Sequence, residues 1–145
     1  MRSLILVPIA ATLLSGCVSV STTGSLSAPM KEKPDVVCII RNPSDPVPKA
    51  TGIFQKAFKD HGVDSVVCDS KKDCKSPWYM TYVLTRSWDV ATFLKAGHLE
   101  LYKGDDLVSY VDHNGGDGLN FAKFGRTQWK LESMIAALLG EKLPE

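Results

Sequence analysis

The polarity pattern divides the chain into three unlike stretches. An apolar run, Leu4 to Leu13, follows a single early basic residue, Arg2. Residues 18–34 are rich in Ser, Thr, Gly, Pro and Lys and show little periodicity, which predicts a flexible tether. From Asp35 onward the pattern is that of a folded domain. Asp35 to Arg41 is a short apolar strand, broken by Asn42-Pro43-Ser44-Asp45-Pro46. Asp45 is placed to cap a helix, with Pro46 in its first turn. Val47, Ala50, Phe54, Ala57 and Phe58 fall on one helical face, and Gly62 after His61 stops the helix. Ser65 to Cys68 predicts a second strand, and Trp78 to Trp88 a long one, rich in aromatic and β-branched residues.

After a connection at Asp89 to Phe93, apolar and polar positions alternate over Leu94–Lys103. Gly97, Leu99 and Leu101 mark a buried face, and His98, Glu100 and Tyr102 a wet one. Lys103-Gly104-Asp105-Asp106 is a hairpin turn, and Leu107 to Asp112 returns as its partner strand. Asn114-Gly115-Gly116-Asp117-Gly118 is a loop. A helix from about Thr127 to Leu139 then carries Leu131, Met134, Ile135 and Leu138 as its buried stripe. The order is β-α-β-β-β-β-α. This predicts an α+β two-layer sandwich: a mixed, mostly antiparallel sheet of about five strands with two helices on one face. Its uncovered face would be half polar and available for binding.

The start of the chain predicts location. The apolar run is shorter than the roughly 20 residues that cross a bilayer, and it ends at Leu14-Ser15-Gly16-Cys17. That string resembles a bacterial lipobox. The resemblance implies removal of residues 1–16, acylation of Cys17 and a lipid-held tether over 17–34, with the domain spanning 35–145. Several acyl chains hold a protein where one is marginal. Val18 stands where an aspartate would keep such a protein in the inner membrane. The expected position is therefore the inner leaflet of the outer membrane, facing the periplasm.

Charge narrows the partners. The chain has 17 Lys+Arg against 16 Asp+Glu, and loss of residues 1–16 removes Arg2 alone and leaves the two equal. A neutral domain has no electrostatic footprint for nucleic acid. Cys38, Cys68 and Cys74 remain beside Cys17, and an oxidising periplasm predicts at least one disulfide among them. Local spacing favours Cys68–Cys74, and Cys38–Cys74 is the rival. No CxxC or Cys-His spacing points to a metal, and no cofactor is expected.

Four strings carry a wider resemblance. They are Val37-Cys38-Ile39 with Asn42-Pro43, His61-Gly62, Tyr82 to Asp89 with Arg86-Ser87-Trp88-Asp89, and Gly116 to Lys123 ahead of Thr127. Over about residues 36–140 the chain resembles a family of small proteobacterial lipoproteins of unknown function. Cys38 and Cys74 match cysteines of that pattern, so the resemblance implies a Cys38–Cys74 bridge, with Cys68 an addition. Asp117 interrupts the family's glycine string, and Phe124 stands where tryptophan is usual. The resemblance implies localisation and fold, and no activity.

Candidate chemistry is sparse. Arg86, Trp88 and Asp89 close the long strand and could clamp an anionic ligand against an indole. Asp112, Asn114 and Asp117 lack calcium-loop spacing. His61, His98 and His113 sit on different elements. No nucleophile has an evident base, and no phosphate loop opens a helix. The expected function is that of a non-enzymatic, membrane-anchored envelope protein engaging another envelope component. The alternative is a small-molecule-binding lipoprotein using Arg86, Trp88 and Asp89.

Overall fold

The computed structural model describes residues 21–26, 30–88, 91–115 and 125–141. Its elements are β1 (Ser21–Leu26), β2 (Val36–Ile40), α1 (Ala50–Asp60), β3 (Asp64–Cys68), β4 (Trp78–Trp88), β5 (Thr92–Lys103), β6 (Asp106–Asn114) and α2 (Thr127–Leu138). A single 3-10 turn, Lys71–Asp73, lies between β3 and β4. The strands form one open mixed sheet in the order β1-β6-β5-β4-β2-β3. β2 runs parallel to both β3 and β4, and the other pairs are antiparallel. This is the α+β sandwich that the sequence pattern predicts.

Alternation along the strands builds the core. Val37 and Ile39 of β2, Met80, Tyr82 and Leu84 of β4, Leu99 and Leu101 of β5 and Val111 of β6 share one buried cluster. Phe54 and Phe58 of α1 complete it, with Leu131, Met134, Ile135 and Leu138 of α2. Phe54 meets Tyr82 edge-on, with ring centroids 5.0 Å apart. Gly97 lets α2 approach: a Cβ there would lie 2.9 Å from Met134 Cε and 3.2 Å from Leu84 Cδ2.

Two elements differ from the sequence expectation. α1 begins at Ala50 rather than near Asp45. Pro48 disfavours helical backbone at Val47, consistent with the later start of the helix. Asp45 Oδ1 instead accepts from Val47 N at 2.8 Å, and Lys49 turns into the helix with a positive φ of 62°. The second difference is β1, which falls inside the stretch predicted to be a tether and makes the described sheet six-stranded. Ser21-Thr22-Thr23 has no apolar stripe to announce a strand; it is paired by the backbone edge of β6.

The remaining bounds follow the pattern closely. Gly62 stops α1 with φ +72°, and Gly104 turns the β5–β6 hairpin with φ +64°. Tyr82 pins the loop after β2. Its hydroxyl donates to Asp45 Oδ2 at 3.2 Å, and its carbonyl accepts from Asn42 Nδ2 at 3.2 Å.

Candidate functional site: the open face of the sheet

Helices cover one face of the sheet, so strand alternation delivers the intervening side chains to the other. β4 contributes Tyr79, Thr81 and Val83 there, and β5 contributes His98, Glu100 and Tyr102. Tyr110 and Asp112 of β6 stand opposite Glu100 and His98. These residues form one connected network, and its centre is His98.

Both ring nitrogens of His98 are engaged. Nδ1 lies 2.6 Å from Asp112 Oδ1, and Nε2 lies 3.1 Å from Glu100 Oε1. Glu100 Oε2 accepts from the Tyr102 hydroxyl at 2.7 Å and from Thr81 Oγ1 at 3.2 Å. Partial burial works against the charged imidazole, but hydrogen bonds to Asp112 and Glu100 win and raise the His98 pKa above its ordinary value. The Tyr102 and His98 hydrogen bonds hold the Glu100 carboxyl below the usual range. The same Glu100 contact pushes the Tyr102 phenol up to about 12.

An aromatic platform adjoins this network. Tyr79 and Tyr102 stack face to face, with centroids 4.9 Å apart and planes 5° from parallel. Lys71 Nζ sits 4.8 Å from the Tyr79 centroid and 2.7 Å from Asp105 Oδ1. The face thus offers fixed carboxylates, a stacked ring pair and a proton-holding imidazole. The His98 imidazole is held between two carboxylates, one on each ring nitrogen.

The three cysteines lie at the β2–β3 side of this face. Their sulfur atoms fall within 4.8 Å of one another. Cys38 Sγ meets both Cys68 and Cys74, with Cα separations of 6.2 and 5.7 Å. The expected Cys38–Cys74 pair is therefore one of two contacts that Cys38 makes, and Cys38–Cys68 is the other. Among the described residues these cysteines are also the cluster with ligand atoms spaced for a metal.

The other sequence candidates are dispersed. Arg86 Nη1 donates to the Pro46 carbonyl at 3.4 Å, tying the end of β4 to the loop before α1. Trp88 stands 76% exposed at the end of the same strand. Asp89 and Asp117 lie outside the described residues. The fold does not gather the three histidines. His61 caps α1 and pairs with Glu141 at 2.7 Å, His98 is on the open face, and His113 is buried beneath the helices. No described helix is long and apolar enough to cross a membrane. The sequence alternation placed His98, Glu100 and Tyr102 on the wet face but did not single them out as a site, and it left out Tyr79 and Thr81. Tyr79 and Thr81, spaced by two on the neighbouring long strand, were the available signal.

Comparison with known proteins gives fold alone. No family model matches the chain, and no curated protein does. Among solved structures, the PelC dodecamer from Paraburkholderia phytofirmans is similar, with a TM-score of 0.56 and 14% identity over 85% of this chain and 99% of that one. A point variant of the same PelC dodecamer gives a TM-score of 0.55 at 14% identity, over 82% and 95% of the two chains.

Proposed function

We propose that this chain is a lipid-anchored, periplasm-facing envelope lipoprotein that works by binding rather than catalysis. Its binding surface is the open sheet face around His98, Glu100 and Tyr102. The observation that carries this reading is the preorganised network: both His98 nitrogens are held by carboxylates beside the Tyr79–Tyr102 stack. The Leu14-Ser15-Gly16-Cys17 string supports acylation at Cys17, with the inner leaflet of the outer membrane as the destination. The partner is another envelope component that offers hydrogen-bond donors to the carboxylates and a flat group to the rings.

Two measurements test this. Cells fed radiolabelled palmitate should label the wild-type chain and not Cys17→Ala; equal labelling of both removes the anchor. A photo-crosslinker at Val83, on the open face, should capture an envelope component, and His98→Ala should abolish capture while the domain stays folded, with a fall in melting temperature of no more than about 8 °C. Capture equal to that from Trp129 on α2, or insensitive to His98→Ala, removes the binding face.

The dodecameric state of the PelC neighbour supports a further element, self-assembly. β3 is an outer strand of the sheet and carries a half-exposed Val66, so it leaves a backbone edge for a second copy. Light scattering that shows only a monomer across micromolar concentrations overturns this part.

A further inference from the structure

The cysteine cluster contains a covalent ambiguity that the fold itself creates. Cys38 is at the centre of β2, Cys68 ends β3, and Cys74 follows the 3-10 turn. Both Cα separations from Cys38, 6.2 and 5.7 Å, are ones that a disulfide spans. A disulfide sulfur has a single S–S bond, so Cys38 can be bonded to either partner and not to both. Each covalent form leaves one thiol beside the bridge. The sequence separations are 30 and 36 residues. Loop closure then distinguishes the two forms by only about 1.3-fold, too little to select one.

We propose that Cys38 is the shared sulfur of an internal thiol–disulfide exchange site, with Cys68 and Cys74 as alternating partners. In the forward direction the Cys74 thiol loses its proton to water, and its thiolate attacks Cys38 Sγ. The Cys38–Cys74 bond forms as the Cys38–Cys68 bond breaks. The electron pair leaves on Cys68 Sγ, which then takes a proton from water. One disulfide and one thiol are present before and after, so no oxidant or reductant is consumed. Cys74 Sγ lies 3.6 Å from the Ser70 carbonyl, an acceptor within reach of its S–H in the form that leaves Cys74 as the thiol.

The two forms restrain different parts of the fold. Cys38–Cys68 joins two strands that are already paired. Cys38–Cys74 instead fastens the Ser70–Cys74 turn onto β2. That turn carries Lys71, the residue poised over Tyr79 and paired with Asp105. Exchange therefore sets how firmly Lys71 is held beside the aromatic stack. The exchange itself does not depend on what that face binds.

The test uses the full chain, purified oxidised and kept anaerobic. One sample is quenched with excess N-ethylmaleimide; another receives the same reagent in small steps at pH 8. Label and disulfide positions are read by mass spectrometry of non-reduced peptides. The fast quench should place label on both Cys68 and Cys74 and none on Cys38. Slow addition should shift the ratio at least twofold toward the more accessible thiol, with the bridge moving in step. Cys68→Ser and Cys74→Ser should each retain one bridge and take up no label at the two remaining cysteines of the cluster. Identical ratios in the two regimes overturn exchange, as does label confined to a single cysteine in both. Label on Cys38 would mean a Cys68–Cys74 bridge, and stoichiometric metal by elemental analysis would mean a thiolate metal site; either overturns the proposal.

Discussion

Acidification should destabilise this domain before its carboxylates begin to titrate, and His113 is the reason. His113 is 3% exposed on the helix-covered face of β6. Burial, assisted by the nearby charge of Lys130, lowers its pKa to about 4. In the unfolded chain the imidazole takes its proton near pH ~6.5. As pH falls, the unfolded state therefore binds that proton first and gains relative to the native state. Stability is full above about pH 6.5 and declines until the pH reaches the folded value of about 4. The interval corresponds to about 3 kcal/mol at ~1.4 kcal/mol per pH step. His98 acts in the opposite sense. Its raised pKa gives stability that is full below the unfolded value and lost as pH rises through the folded one. The His98 side chain is 41% exposed, so its ion pairs contribute at most ~1 kcal/mol. His113 should dominate. Urea unfolding at intervals from pH 7.5 to 4 would measure the slope in the wild type and in His113→Gln. Whatever stability the variant loses at every pH, its decline from pH 6.5 to 4 should be shallower by about 3 kcal/mol. Equal slopes in the two proteins would refute the assignment.

Two further perturbations follow from close packing and from the shared sulfur. On loop entropy either bridge stabilises the fold by ~3.7 to ~3.8 kcal/mol, so Cys68→Ser and Cys74→Ser should each keep most of this, whereas Cys38→Ala should lose it all. Urea midpoints without reductant would show this, and a loss in Cys74→Ser equal to that in Cys38→Ala would indicate one fixed bridge. Gly115→Ala should cost about 1–3 kcal/mol, because its Cβ would meet the Leu94 carbonyl oxygen at 2.7 Å, a backbone atom that cannot swing aside. A neutral result in thermal unfolding would show that the β5 end relaxes.

The elements that local pattern resolves are those whose pattern is also their packing. β4, β5, β6 and α2 bury alternate or helically spaced residues, and the sequence places them within a few residues. β1 is held by the edge of β6, a tertiary fact with no local record. The site was legible as a wet face, but its partners required register. The turn pairs Lys103 with Asp106; counting back without interruption would put Val111 opposite His98. A one-residue shift between Leu101 and Tyr102 puts Asp112 there instead. That bulge brings the second carboxylate to the imidazole. The cysteines were legible as a disulfide set. Their convergence on Cys38 depends on β2 lying beside β3 while the 3-10 turn folds back.

The same register fixes how an anchored domain would meet its membrane. Ser21 is level with Asn114, Ala96 and Thr85 across the sheet. Trp88 lies three residues beyond Thr85 on β4, about 10 Å further along at ~3.3 Å per residue. Cys17 is four residues before Ser21, a reach of at most ~14 Å. Since β1 starts at the sheet end where β4 finishes, a lipid on Cys17 draws the Trp88 end to the bilayer surface. An exposed indole is well matched to that depth, with an apolar ring and one N–H donor. The lipidated chain in vesicles containing brominated lipid should then show tryptophan quenching that falls at least twofold in Trp88→Phe. A flexible insert of about 20 Gly/Ser residues between Cys17 and Ser21, spanning ~25 Å, should weaken the quenching as well. If quenching survives both changes, the Trp88 end does not face the membrane, and β1 does not set the domain's orientation.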